Sequence, residues 1–139
     1  GNNKFQNTVV AGNHTLLADE PKSFGGTDTG PSPYDFLSVG LGACTNMTLR
    51  MYSERKGWDI GKVSVEIDHK KIHAADCEAC DDTIKSGAGK IDQFHRKITV
   101  KPGLSDEVMA KLLEIADKCP VHKTLHAVSS VTTSIETEL

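Results

Sequence analysis

Between Pro33 and Lys56, Leu37, Leu41, Cys44, Thr48 and Met51 recur three and four positions apart, a spacing that predicts one long helix with a single apolar face. Ser32 suits its N-cap, Pro33 its first turn and Gly57 its stop. Such a helix would run ~36 Å, the width of a small domain. Upstream, Lys4 to Val10 and His14 to Ala18 carry β-branched residues around Gly12-Asn13, the pattern of a hairpin. Val63, Val65 and Ile67 alternate with Ser64, Glu66 and Asp68, so a strand is expected from Val63 to His73, and strand character returns from Ile91 to Val100. Ser105 caps a second amphipathic pattern, Met109, Leu112, Leu113, Ala116 and Cys119, which Pro120 kinks or ends. Alternating β-branched residues from Ala127 to Glu138 predict a closing strand.

Two irregular stretches separate these elements. Asp19 to Pro33 holds three prolines and three glycines and reads as a loop that positions a lid over the first helix. Its GGTDTG run precedes a helix but lacks the lysine of a phosphate-binding loop and the spacing of a dinucleotide fingerprint. Residues 74–90 form a long connection, of a length more often functional or mobile than neutral. Gly40 and Gly42, inside the first helix at a cost of ~1 kcal/mol each against alanine, point to close approach of another backbone, most simply a second helix.

With 139 residues the chain fits one domain, residues 1–139, able to bury a core without staples. A net charge of −3 gives no field for a phosphate backbone, so nucleic acid is not an expected partner. No apolar run approaches the ~20 residues of a membrane span, and the start lacks the pattern of a secretory leader, so a cytoplasmic protein away from membranes is expected. In a reducing compartment, cysteines that are more than core residues are catalytic or metal-bound. There are four: Cys44, Cys77, Cys80 and Cys119.

Cys44 and Cys119 each lie on the apolar face of a predicted helix, and packing those faces would bring the sulfurs within reach of each other. That suits a peroxide-attacking thiol and a resolving thiol, the second trapping the sulfenic acid formed on the first. Equally, both are candidates for plain core residues, since free cysteine is among the most buried types. His122, three residues after Cys119, is either a proton donor to that sulfur or a polar helix cap. A second constellation, His69, His73, Cys77 and Cys80, has the donors and the Cys-x2-Cys bite of a zinc site; a labile Cys77–Cys80 redox pair and two free loop thiols are the other readings.

GPSPYDFLSVGLGACTNMTLRMYSERKGW and, far downstream, LLEIADKCPVHKTL resemble the OsmC/Ohr family of thiol-dependent hydroperoxide reductases, and most its OsmC-like branch. The resemblance spans nearly the whole chain. It implies an α+β fold, two long central helices packed with curved antiparallel sheets in an intertwined homodimer. It also implies reduction of organic hydroperoxides in peroxide detoxification, with Cys44 as nucleophile, Cys119 as resolver, a thiol or dithiol as reductant and no cofactor. The residues around Cys44 favour a small apolar hydroperoxide.

Two departures from the family pattern stand out. The family glutamate after the proline is here Tyr34, followed by Asp35, and the N-terminal arginine is missing. Arg50 is rotated away from Cys44 by about 600°, and Arg55 lies ~16 Å along the helix. Activation of Cys44 then falls to Arg96, to a histidine or to a group of the second subunit. Two other functions stay open on the residues: a non-catalytic OsmC-like module that binds a small molecule, and a metal or redox sensor using His69, His73, Cys77 and Cys80.

Overall fold

A computed structural model describes residues 4–78, 80–87 and 89–138. The elements are β1 (Asn7–Ala11), β2 (His14–Ala18), α1 (Pro33–Lys56), β3 (Ser64–His73), α2 (Asp82–Lys85), β4 (Lys90–Thr99), α3 (Asp106–Ala116) and α4 (Pro120–His126), with 3-10 turns at Lys22–Phe24 and Ala74–Asp76. The fold is α+β, with two antiparallel hairpins, β1–β2 and β3–β4. The chain forms two compact units, Gly1–Ala43 with Ser64–Thr99 and Cys44–Val63 with Val100–Leu139.

In the first unit, Gly12 takes a positive φ in the two-residue turn that sets Ala11 opposite His14. β3 and β4 pair over ten residues each, from Ser64↔Thr99 to His73↔Lys90. Val65, Ile67, His69 and Lys71 share one face with Ile98, Arg96, Phe94 and Asp92, because strand side chains alternate. That face meets α1 at Gly42, where an added Cβ would lie 3.5 Å from Ile67 Cγ1. The close approach expected of a second helix is therefore made by a strand. Gly40 has nothing within 4 Å.

The second unit is built on the latter part of α1. Leu49 is fully buried there with Thr45 and Ser53, four residues to either side, and α3 contributes Leu112, Ile115 and Ala116. Asn46 donates to the carbonyl of Val63 at 2.8 Å and Arg50 to that of Gly61 at 3.1 Å. These two side chains, one turn apart, hold the returning chain along the helix.

Two sequence expectations differ from the structure. α3 stops at Ala116, and Pro120 does not kink it but opens α4, because a proline's missing N–H costs nothing in a first turn. The closing strand is not formed: residues 127–138 have no regular structure, and Val128, Val131 and Ile135 are 90% exposed or more. Strand propensity is realised only against a neighbouring strand, and these residues pair with none. Among the described residues no helix is long and apolar enough to cross a membrane.

Candidate functional site

Cys44 sits mid-way along α1, whose start is fixed by a reciprocal capping pair. Ser32 Oγ accepts from Asp35 N–H at 3.2 Å, and Asp35 Oδ2 accepts from Ser32 N–H at 3.0 Å. Asp35, a candidate auxiliary to the cysteine, is thus occupied at the helix end. The buried stripe of α1 runs through Leu41, Thr45, Leu49 and Ser53; it shares Leu41 with the expected stripe of Leu37, Leu41, Cys44, Thr48 and Met51, and beyond that residue it runs one position past Cys44 and Thr48. Cys44 lies at its edge, half-buried and with a free thiol. Leu37, Met47 and Met51, which share its side of the helix, are exposed, the methionines by 64% and 66%.

Cys119 is 0% exposed and also a free thiol. It is not on a helical face. After the turn in which its N–H donates to Ala116, its backbone is extended and it caps α4, its Sγ accepting from His122 N–H at 3.2 Å. Its other neighbour is Thr45, whose Oγ1 lies 3.8 Å from the sulfur. Thr45 is the residue after Cys44, so the fold brings the second cysteine to the next position along the helix. What His122 offers that sulfur is its backbone N–H; its ring stacks on His126 at 5.8 Å and faces Asp117 at 3.9 Å.

Arg50 is engaged with Gly61, and the Arg55 guanidinium lies 5.8 Å from the Tyr52 ring. Arg96 stands opposite Ile67, on the face of β4 that turns toward α1. Tyr34, in the first turn of α1, stacks on His69 at 4.6 Å, and the Phe94 ring lies tilted against the same imidazole at 4.7 Å. Asp92 Oδ1 accepts from His69 Nε2 and from Lys71 Nζ, both at 2.9 Å. The His69 bond, then the Lys71 bond, holds the Asp92 carboxyl below its usual range, and Asp92 in turn raises Lys71.

His69 is thus held by Asp92 through Nε2. Cys77 and Cys80 are joined in a disulfide with Cα atoms 5.4 Å apart. The proposed zinc set of His69, His73, Cys77 and Cys80 is not assembled in this state, and no group of three or more ligand residues converges among the described residues.

The glycine-rich loop has its own anion. Asp19, 2% exposed, receives on Oδ2 the N–H and hydroxyl of both Thr27 and Thr29, at 2.7–3.2 Å, and on Oδ1 the N–H of Glu20. The Thr27 hydroxyl leads the set that holds this carboxyl far below its ordinary value, against the opposing effect of burial. Gly26 and Gly30 leave no room for a Cβ beside the backbone of Glu20 and Leu17. Donors that resembled a phosphate cradle thus serve the chain's own carboxylate. Neither Asp19 nor Thr45 was singled out by sequence; the signals were a lone Asp before two alternate threonines, and the four-residue spacing of Leu41, Thr45 and Leu49.

Over residues 26–134 the chain matches the family described as OsmC-like protein. The chain belongs to the OsmC-like family. Solved structures share the fold of this OsmC-like protein. A candidate osmotic stress induced and detoxification response protein from Psychrobacter arcticus 273-4 is similar at 21% identity and a TM-score of 0.62, with 88% of each chain covered. An OsmC-like protein from Mycoplasma pneumoniae follows at 21% and 0.60, covering 88% of this chain and 80% of that one. The organic hydroperoxide resistance protein OhrB of Bacillus subtilis stands at 17% and 0.56, covering 86% and 87%. No curated protein matches the OsmC-like chain.

Proposed function

We propose that this OsmC-like protein reduces organic hydroperoxides, with Cys44 attacking the peroxide and Cys119 resolving the product. The observation that carries the reading is the placement of Cys119 Sγ against Thr45, the neighbour of Cys44, with both thiols free. Family membership and the hydroperoxide resistance named for the Bacillus relative support it. The Cys44 thiolate attacks one oxygen of the O–O bond, and the alcohol leaves after taking a proton. Cys44 becomes a sulfenic acid; Cys119 attacks its sulfur, water departs and a Cys44–Cys119 disulfide forms. A dithiol then returns both thiols at the cost of its own oxidation, so no bound cofactor enters, and a reducing compartment such as the cytoplasm suits the cycle.

The open apolar side chains beside Cys44, Leu37, Met47 and Met51, favour an apolar hydroperoxide and a second subunit covering part of that face as a homodimer. A group from that subunit activates Cys44. The substitution of Tyr34 for the family glutamate, and its use in stacking on His69, favours the second reading, a non-catalytic binding module.

Peroxide loss followed in wild type and Cys44→Ser separates the two. The wild type consumes an organic hydroperoxide with dithiol present and Cys44→Ser does not; equal rates in both would leave the binding module as the better reading.

A further inference from the structure

The hydroperoxide cycle leaves two of the four cysteines unused. Cys77 and Cys80 are bonded in the connection between β3 and β4, Cys77 at the end of the Ala74–Asp76 turn and Cys80 just before Asp81, the N-cap of α2. As a staple this bond has little to do. The ten-residue ladder already joins the strands as far as His73↔Lys90, and Ala74 N–H to Gly89 C=O closes the neck beyond it. A bridge between residues three apart also closes a very short loop, and the entropy that a disulfide removes from the unfolded chain grows with loop length.

The two sulfurs differ in access: Cys77 is 5% exposed, whereas Cys80 is only half-buried. Their setting is acidic. Residues 74–89 carry Asp76, Glu78, Asp81 and Asp82 against the single Lys85, and all four carboxylate residues are exposed. Such a field repels an anionic reagent and draws a cationic one, more strongly at low salt.

We propose that Cys77 and Cys80 form a second redox site, separate from Cys44 and Cys119, that exchanges thiol and disulfide with low-molecular-weight aminothiols in preference to anionic thiols. When the reduced pair is oxidised, the Cys80 thiolate attacks one sulfur of the small disulfide, and the other leaves as a thiolate that takes a proton. Cys77 then attacks Cys80 Sγ in the mixed disulfide and expels the second small thiolate. The protein loses two electrons and two protons, and one small disulfide becomes two thiols. In the reverse direction the incoming thiolate attacks Cys80, the open sulfur, and Cys77 is the leaving group.

The test mixes fully reduced protein with cystamine, a dication, or with oxidised glutathione, an anion, at one pH. The reaction is quenched by alkylation and the Cys77 and Cys80 peptides are read by mass spectrometry. Wild type and Cys44→Ser/Cys119→Ser are compared. In both, cystamine oxidises the pair at least tenfold faster than glutathione at low salt, and the gap narrows severalfold near 0.5 M salt. Cys77→Ser collects a mixed disulfide on Cys80 at least tenfold faster than Cys80→Ser collects one on Cys77. A pair that stays reduced with both reagents overturns the proposal, as does a pair oxidised only when Cys44 and Cys119 are present. Equal, salt-insensitive rates for the two reagents overturn the preference for aminothiols.

Discussion

The cap that Cys119 forms and the resolving role proposed for it are separated by different substitutions. Its sulfur is the N-cap of α4, taking the His122 N–H at 3.2 Å, and in the proposed cycle it attacks the oxidised Cys44. Serine keeps an acceptor at that position and is a preferred cap, with His122 N–H in place to donate to it. Alanine removes the acceptor, and loss of a cap costs about 1 kcal/mol. With an unfolding entropy of about 2.1 cal/mol/K per residue, that lowers the melting temperature by about 3–4 °C for a chain of this length. Thermal melts should therefore order the proteins as wild type, Cys119→Ser and Cys119→Ala. Neither variant resolves the sulfenic acid. After a single equivalent of hydroperoxide both lose the peroxide as fast as wild type, but with excess peroxide Cys44 advances to sulfinic acid, which mass spectrometry reads directly. Sustained turnover by Cys119→Ser with dithiol, and an unoxidised Cys44, would refute the resolving role. A Cys119→Ala protein as stable as Cys119→Ser would refute the capping one.

Other outcomes follow from the packing. Leu49→Ala, at a fully buried position of α1, should cost about 2–5 kcal/mol and lower the urea midpoint without changing the slope of the transition. Gly30→Ala puts a Cβ into the Leu17 backbone and should lower the melting temperature, whereas Gly40→Ala, with open space around it, should gain about 1 kcal/mol of helix propensity and raise it. A fall for Gly40→Ala would mean that a second subunit packs there. Asp19 is held as an anion in the folded chain, so its contribution is intact above the unfolded carboxylate value and fades as pH falls below it toward the lower folded value. Urea midpoints taken from about pH 6 down to about pH 3 should drop more steeply in wild type than in Asp19→Asn; parallel curves would show that Asp19 is not the group responsible.

The local signals carried far. Ser32, Pro33 and Gly57 bound α1 because a cap, a first-turn proline and a positive-φ glycine act within a few residues, and Gly12 did the same for the first hairpin. The same local chemistry placed Ser105 at the start of α3, where its hydroxyl accepts from Val108 N–H. The stretch from Gly30 to Trp58 and the Cys119-Pro120 step with its preceding helix carry the resemblance to the OsmC/Ohr family in the sequence itself.

Tertiary structure decided what spacing leaves ambiguous. A helix repeats every 3.6 residues, so stripes through Cys44 and through Thr45 differ by only 100°, and packing chose the second. Whether Cys119 ends a helix or caps the next depends on the chain beyond it, and there its sulfur took the His122 N–H. Asp19 gained its role only when the loop folded back over it, since Thr27 and Thr29 are eight and ten residues away. Strand propensity in residues 127–138 was legible in sequence, but a strand is a property of two segments. The amino acids alone set how each segment prefers to bend and where it begins and stops. Which side of α1 is buried was settled by contacts between residues far apart in the chain, such as Thr45 with Cys119, whereas the carboxylate that the glycine loop binds and the Cys77–Cys80 bond depended on how neighbouring segments fold back on themselves.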